Sequence, residues 1–372
     1  MPGQSIRAGV VGAGWMGQVH ARSWSLNAPR GVLAAVTDVS EASGTGLFDV
    51  ANRRWSARML RAVGVTEAML PTVVESTDPT GRLLPAIARR WGLTDDVEVY
   101  GGGGDAVIQT VSMGITRPGD IGITVGTAGV VAAVARECPT NTTGNVQISC
   151  YNAPGLWHVM GVSLSAAGAL QWLTDVLREV PGTTHDVGFA ALIDLARDTP
   201  VGAGGLLFLP YLAGERSPNY APSASAAMVG LTRMHGLGHL VRAVIEGALL
   251  NLREILESFT ALGIRCDRVV ASGGATRDPF WLQTMADVFG TEVVTMMGSS
   301  EGGAYGAALV AGVGAGTWES FDDVLDRLHV SARYLPDGTN AQRYTQIYTG
   351  FRDLFGHLDE VYRDIEVARG QD

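Results

Sequence analysis

Four glycine-rich turns, each beside a short apolar segment, constrain how this chain can fold. They are GGGGD at 101–105, TVGTAG at 124–129, ASGGATRDPFW at 271–281 and EGGAYGAALVAG at 301–312. Because glycine has no Cβ, each turn can bend sharply and lets another group come close to the main chain. The pattern indicates a fold in which small molecules contact the backbone at the turns.

Around these turns the sequence alternates predicted strands and helices. Apolar runs predict a strand-rich block, with strands at 107–115, 121–125, 130–135, 146–150 and 157–160. Helical spacing of apolar residues then predicts a buried helix at 240–259, followed by strand 268–271, helix 279–289, strand 293–296 and helix 304–313. This order is typical of an α/β fold with the layout of an actin-like ATPase, a ribonuclease H-like sheet covered by helices.

The first 38 residues follow a different pattern. A short apolar strand leads into Gly12, Gly14 and Gly17 at G-x-G-x-x-G spacing, a predicted helix follows, and a second apolar run ends at Asp38. This is the order of a Rossmann-like βαβ start, in which the glycines admit a pyrophosphate and the acid accepts ribose hydroxyls. A purely structural glycine turn is the alternative.

Composition excludes several classes of protein. All 27 basic residues are arginine, so mechanisms that need a lysine amine, such as Schiff bases and P-loops, are excluded. The net charge of -10 argues against nucleic acid as a partner. No apolar run reaches the roughly 18 residues of a membrane span, and the three cysteines lack metal-ligand spacing. We expect a cytoplasmic protein that binds no membrane and has no metal-ligating cluster; a homodimer is compatible with the sequence.

Two charged positions in loops are candidates for chemistry. Asp105 follows four glycines, where a single carboxylate suits a general base that takes a proton from a hydroxyl. A turn-capping aspartate is the alternative. Glu215 and Arg216 lie in a proline-bounded loop, and adjacent opposite charges there favour a local ion pair over a catalytic role.

Two further turns are candidates for binding an anion or a nucleotide. A hairpin containing Gly126, Thr127 and Gly129 offers backbone amides and one hydroxyl, although a plain hairpin of small residues is the alternative. The turn at 271–275 stands between a strand and a helix, where a nucleotide can sit against the helix N-terminus.

Together these motifs resemble the C-terminal portion of FGGY carbohydrate kinases, and their sequences are most like those of xylulokinases. The resemblance covers roughly 37–360 and is carried by ASGTGLFDVANRRWS, GGGGDAV, VGTAG, LPYLAGERSP, VRAVIEGALLNLRE and ASGGATRDPFWLQTMADVFG. It implies ATP- and Mg²⁺-dependent phosphorylation of a pentulose such as D-xylulose, with Asp105 as the catalytic base. The residues that it assigns to the phosphate loop and the adenosine pocket are Gly126, Thr127, Gly129, Gly273, Gly274 and Ala275.

The N-terminal sequence GVVGAGWMGQVHARSW instead resembles oxidoreductases of the glucose-fructose oxidoreductase and inositol dehydrogenase family. This resemblance implies a dinucleotide site at Gly12, Gly14, Gly17 and Asp38. That family also uses a lysine within a Glu-Lys-Pro motif, and the chain has no lysine. Dehydrogenase catalysis is therefore not expected.

The resemblances divide the chain into a Rossmann-like fragment at 1–38, a remnant of the kinase N-terminal domain at 39–99 and the kinase C-terminal actin-like domain at 100–372. FGGY kinases begin with a D-x-G-T phosphate loop whose aspartate helps to hold magnesium, and this motif is absent here. We therefore expect little sugar kinase activity from the chain alone. An NAD(P)-binding oxidoreductase fragment and a catalytically dead nucleotide-binding remnant are the alternatives.

Overall fold

The computed structural model describes residues 7–8, 32–33, 36–180, 188–298 and 302–370. The strands are β1 (Arg7–Ala8), β2 (Val32–Leu33), β3 (Val36–Asp38), β4 (Phe48–Asp49), β5 (Arg54–Trp55), β6 (Thr72–Val74), β7 (Pro79–Arg82), β8 (Glu98–Tyr100), β9 (Gly119–Val125), β10 (Gly129–Ala135), β11 (Gln147–Cys150), β12 (Trp157–Ser163), β13 (Leu207–Leu209), β14 (Ala227–Val229), β15 (Cys266–Ser272), β16 (Val293–Met296) and β17 (Val330–Tyr334). The α-helices are α1 (Val39–Ser43), α2 (Ala57–Val63), α3 (Pro85–Arg90), α4 (Asp105–Ser112), α5 (Ala167–Arg178), α6 (Phe189–Arg197), α7 (Leu237–Ala261), α8 (Pro279–Phe289), α9 (Gly302–Gly314), α10 (Phe321–Leu325) and α11 (Gly338–Arg369).

The main sheet of the described residues has seven strands in the order β11-β12-β10-β9-β15-β16-β17. Strands β9, β10 and β12 pair antiparallel, and β11 lies outside β12 at the sheet edge. Strand β15 then pairs in parallel with both β9 and β16. An antiparallel block continued by parallel strands, with helices between them, is the α/β layout that the sequence predicts.

Helices cover both faces of this sheet. Successive strand residues point to opposite faces, so Ile121 and Ile123 of β9 enter one core, which is shared with the buried face of α7. Gly122 points the other way, where an added Cβ would lie 3.2 Å from Met113 in a second core. Burying each large aliphatic side chain of this kind contributes about 1.5–3 kcal/mol.

The predicted helix of small residues packs closely against a neighbour, as its composition indicates. A Cβ on Gly306 of α9 would lie 2.1 Å from the carbonyl oxygen of Ile108 in α4. The absence of a side chain at this position therefore allows the two helix backbones to approach each other.

One predicted strand is wrong. Most of the apolar run at 107–115 lies in helix α4, which ends at Ser112, and not in a strand; the buried side chains of the helix include Val107, Ile108 and Val111. These positions recur at the spacing of one helix face. A short apolar run does not distinguish a buried helix from a buried strand, and here the preceding glycines allow the helix to begin directly at Asp105.

The segment before α4 forms small two-stranded sheets that dock on the main sheet. The Arg53 guanidinium pairs with Glu75 at 2.7 Å and donates to the carbonyl oxygen of Leu156 at 3.0 Å. The hydroxyl of Ser43 in α1 accepts a hydrogen bond of 3.0 Å from the backbone N–H of Cys150 in β11. These contacts join 36–100 to the first core strands.

At the N-terminus, β1 and β2 pair in parallel, with Arg7 opposite Val32. Parallel pairing is what the predicted strand, helix and strand unit requires. Gly12, Gly14 and Gly17 lie outside the described residues, so the dinucleotide site stays a prediction. Among the helices that are described, none combines the length and the apolar character needed to cross a lipid bilayer.

Candidate functional site

Two of the predicted turns lie side by side at the carboxyl ends of β9 and β15. The parallel register places Ser272 opposite Thr124, so the turn that starts at Gly273 lies beside the end of β9. Gly273 has a φ of +98°, and an added Cβ would lie 2.6 Å from the carbonyl oxygen of Val125. Only glycine fits this position, because the conformation and the close approach both exclude a side chain.

The hairpin at Gly126–Gly129 is held by backbone contacts to the start of α5. The Thr127 carbonyl accepts hydrogen bonds from the N–H groups of Ala166 at 2.8 Å and Gly168 at 3.1 Å. A Cβ on Gly129 would lie 2.6 Å from Leu252 of α7. The Thr127 side chain is exposed, and within the described part of the chain no hydrogen-bond partner is found for its hydroxyl.

A cavity of about 500 Å³ opens between the hairpin and the turn. Four of the six predicted nucleotide-binding residues line it, namely Gly126, Thr127, Gly274 and Ala275. The other two, Gly129 and Gly273, shape its walls through the close contacts described above. The lining also includes apolar side chains of Phe189, Ile193 and Trp281 and polar or charged side chains of Gln171, Arg277 and Asp278. A pocket of this size that combines apolar surface with a few polar groups suits a heterocycle with an anionic tail.

Asp105 reaches the same edge of the sheet from another element. It is the first residue of α4 and is exposed. One helical turn later, the Gln109 amide donates to the Thr124 hydroxyl at 3.2 Å, while Met113 further along α4 lies against Gly122. Helix α4 therefore runs opposite to β9, and its first residue lies towards the carboxyl end of that strand, where the hairpin begins.

The glycines before Asp105 are packed too tightly for side chains. A Cβ on Gly101 would lie 2.6 Å from the Glu75 carbonyl oxygen, and one on Gly103 would lie 2.1 Å from the Asn152 amide nitrogen. A Cβ on Gly104 would lie 2.7 Å from Glu41. The run of glycines therefore serves the packing of this loop against neighbouring segments.

Asp38, predicted to accept ribose hydroxyls, is instead buried among protein donors. It is 3% exposed and caps helix α1 by accepting hydrogen bonds from the N–H groups of Ser40 at 2.7 Å and Glu41 at 3.3 Å. Hydroxyls of Ser40 and Ser76 also donate to it, at 2.6 and 3.3 Å. Burial raises the pKa of this carboxyl to about 6, against the opposing effect of these donors. No sequence pattern indicated this network.

Glu215 forms no ion pair with Arg216 among the described contacts, so the local ion-pair interpretation is wrong. Glu215 is 2% exposed, and Arg216 points to solvent. Burial raises the pKa of Glu215 to about 9, against the opposing effect of the nearby Asn251 amide, and the negative charge of Glu254 contributes to the rise. Its Oε1 atom and both amide atoms of Asn251 have no hydrogen-bond partner in the described residues.

The described residues contain no group of three or more His, Cys, Asp or Glu side chains placed to hold a metal ion. Mg²⁺ in phosphoryl-transfer sites keeps several waters and is held by one or two carboxylates and the substrate phosphates. The Asp105 carboxylate, which is exposed at the same edge of the sheet, is a ligand of the type that Mg²⁺ prefers.

Known proteins agree with this architecture. The xylulose kinase structure from Rhodospirillum rubrum matches with a TM-score of 0.79 at 30% identity, over 89% of this chain and 66% of that one. The fold is therefore the predicted mixed α/β fold of actin-like ATPases. Family models for the N-terminal and C-terminal domains of the FGGY family of carbohydrate kinases match residues 24–112 and 122–315. The chain belongs to the FGGY family of carbohydrate kinases.

The similar proteins include kinases named for two different substrates. The Escherichia coli xylulose kinase is 35% identical over 324 residues, and the Bacillus subtilis gluconokinase is 30% identical over 337 residues. These matches cover 87% and 89% of the chain, which spans about 65% of the length of each relative. The match to the N-terminal domain begins at residue 24, inside the predicted Rossmann-like fragment, so the oxidoreductase resemblance and the boundary at 38 stay predictions.

Proposed function

We propose that the chain binds ATP in the cavity between the hairpin and the 273–275 turn, and that Asp105 is the base of a sugar kinase reaction. The observation that carries this proposal is convergence. Gly126, Thr127, Gly274 and Ala275, which are remote in sequence, line one cavity, and the Asp105 carboxylate is exposed at the same sheet edge.

The cavity offers both kinds of surface that ATP needs. Phe189, Ile193 and Trp281 offer apolar surface for an adenine ring. The Thr127 hydroxyl and the hairpin backbone are suited to phosphate oxygens, because amides and hydroxyls in tight turns form anion-binding concavities.

In the proposed reaction Asp105 accepts the proton of a sugar hydroxyl as the hydroxyl oxygen bonds to the γ-phosphorus of ATP. The bond from that phosphorus to the β–γ bridging oxygen breaks, and ADP leaves. Phosphoryl transfer depends mainly on positioning and charge stabilisation, and this chain supplies one base and a phosphate cradle. Because the D-x-G-T motif of the family is absent from its sequence, we expect the turnover to be low. Mg²⁺ carried by the nucleotide would neutralise the phosphate charge.

The proposed acceptor is a pentulose such as D-xylulose. The xylulose kinases among the relatives support this choice, and the gluconokinase makes a sugar acid the first competitor. A coupled ADP-release assay with D-xylulose and with gluconate separates the two. Faster turnover with gluconate would overturn the pentulose assignment and leave the kinase assignment intact.

Calorimetric titration of the purified chain tests the nucleotide site directly. We expect ATP to bind and NAD⁺ not to compete with it. Gly274→Leu should abolish ATP binding, because a Cβ there meets nothing within 4 Å and the side chain would extend into the cavity. Gly356→Leu, which also places leucine in open space but on α11, is the matched control. Equal ATP affinity in the two variants would contradict the proposed site.

A further inference from the structure

Asp38 lies at the centre of a hydrogen-bond network that ends on the loop before Asp105. The Ser40 hydroxyl donates to Asp38 Oδ2 at 2.6 Å and accepts the backbone N–H of Gly104 at 2.9 Å. Gly104 is the N-cap of α4, and its carbonyl accepts the N–H of Ile108 at 2.9 Å. One serine therefore connects the buried carboxylate to the residue immediately before Asp105.

A second arm holds the other end of the same loop. The Ser76 hydroxyl donates to Asp38 Oδ2 at 3.3 Å and accepts the Asn152 amide at 2.9 Å. Asn152 also donates to the carbonyl oxygen of Gly102 at 3.3 Å, and the Gly102 N–H donates to the Ser76 carbonyl oxygen at 3.0 Å. The two arms hold Gly102 and Gly104 on either side of a single residue.

In both arms the direction of the hydroxyl depends on the Asp38 carboxylate. A serine hydroxyl has one proton to donate and lone pairs to accept with. Because each proton points at Asp38, the lone pairs are free to accept from Gly104 and Asn152. The four polar side chains are all nearly inaccessible, with Asp38 3%, Ser40 5%, Ser76 0% and Asn152 0% exposed. Water therefore does not readily replace a missing member.

We propose that Asp38, acting through Ser40 and Ser76, is a positioning residue for Asp105. It orders the glycine loop and the first turn of α4, so that the Asp105 carboxylate is held at one place relative to the hairpin. This inference rests on the proposed function. It also gives Asp38 a role within the kinase fold that differs from ribose binding.

Hydrogen exchange and kinetics on three serine variants test the proposal. Ser40→Ala removes the first arm and Ser76→Ala removes the second. Ser43→Ala is the matched control, because Ser43 lies on the same short helix and also bridges to another segment, through the Cys150 N–H, but has no contact with the glycine loop.

We expect amide exchange in peptides covering 101–105 to be about tenfold faster or more in Ser40→Ala and Ser76→Ala, and unchanged in Ser43→Ala. Loss of placement at a reacting group can lower turnover about 100-fold. We therefore expect kcat with D-xylulose to fall about 10- to 100-fold in the two variants while the KM for ATP stays the same, because the nucleotide cavity does not include this loop.

Equal exchange at 101–105 in all three variants would overturn the proposal, as would an unchanged kcat in Ser40→Ala. A parallel loss of ATP affinity would also overturn it and indicate a general structural role. If the parent chain shows no turnover with any sugar, the kinase proposal fails by itself. The exchange comparison still decides whether the Asp38 network holds the Asp105 segment.

Discussion

The hairpin at 126–129 and the loop at 101–104 lie at the same edge of the main sheet but are held there by different interactions. The hairpin is an extension of the β9–β10 ladder, and its carbonyls are fixed by the N–H groups that open α5. The 101–104 loop has no ladder of its own; besides two backbone hydrogen bonds donated by Gly101 and Gly102, it is held by side chains of Asp38, Ser40, Ser76 and Asn152.

Because they are held differently, the hairpin and the 101–104 loop should tolerate different substitutions. A backbone ladder tolerates most side-chain substitutions, but it is destabilised when a Cβ is added where another atom already lies in close contact. A side-chain network is sensitive to the loss of one hydroxyl or carboxylate, because its other members stay buried with unmade hydrogen bonds. We therefore expect the hairpin side of the site to be most sensitive to substitution of its glycines. The Asp105 side should be most sensitive to substitution of the polar residues that hold the 101–104 loop.

The largest effect is expected at the reacting group itself. Asp105→Asn keeps the size of the side chain and removes its basicity, so phosphoryl transfer should fall about 10²- to 10⁴-fold. ATP affinity should change little, since Asp105 does not line the cavity. Turnover is measured by ADP release and affinity by calorimetry. Undiminished turnover in Asp105→Asn would remove Asp105 from the mechanism.

The next largest effect is expected for Gly273→Ala on the hairpin side of the site. The φ of +98° and the 2.6 Å approach to Val125 act together, and we expect a loss of about 3 kcal/mol in the free energy of unfolding. Gly290→Ala is the control, because Gly290 has a φ of +64° but no atom within 4 Å of an added Cβ. It should lose about 1 kcal/mol. Urea denaturation measures both, and equal losses would show that the close contact is unimportant.

Glu215 and Asp38 are both buried carboxylates, but only Glu215 has an oxygen without a hydrogen-bond donor among the described residues. Its folded-state pKa of about 9 exceeds the ordinary value of 4.5, so the folded protein keeps a proton that the unfolded chain releases. The free energy of unfolding should therefore fall as pH rises from about 4.5 towards 9. Glu215→Gln, which is neutral throughout, should be more stable than the parent at pH 8, and the difference should grow as pH rises from 5.

Thermal or urea denaturation at several pH values checks this prediction. Glu257→Gln is the control, because Glu257 lies on α7 close to Glu254 but is exposed, and its charge is paired with Arg253 at 3.2 Å. It should leave the pH dependence unchanged. A parent protein whose stability is flat between pH 5 and 9 would show that Glu215 is ionised in the folded state.

The smallest effect is expected from the one side chain that the hairpin contributes. Thr127→Ala removes an exposed hydroxyl but no backbone amide, so ATP affinity should weaken by about 1 kcal/mol, or roughly fivefold. Thr127→Ser keeps the hydroxyl and should bind ATP like the parent. If Thr127→Ala abolished binding, the side chain rather than the hairpin backbone would be the main phosphate contact.

Much of the fold could be predicted because its elements follow local patterns. The predicted helix at 279–289 and strand at 293–296 match α8 and β16. These predictions succeed because the helical spacing of apolar residues and the glycines that end each element depend only on residues close together in the chain. The run at 107–115 predicts a strand although most of it is helical, because it is short and mostly buried. A short buried run of this kind does not show whether its period is that of a helix or of a strand.

By itself, the sequence determined the order of elements, the positions of the glycine turns and the candidates Asp105 and Thr127, because each depends on residues close together in the chain. Only the tertiary structure decided that Asp38 faces Ser76 and the 101–104 loop, and that Glu215 is buried beside Asn251. These pairs are separated by dozens of residues, and an aspartate or glutamate shows nothing of its burial in its own neighbours. Whether such a carboxylate is solvated, capped or left without a donor depends on which distant groups the folded backbone brings within hydrogen-bonding distance.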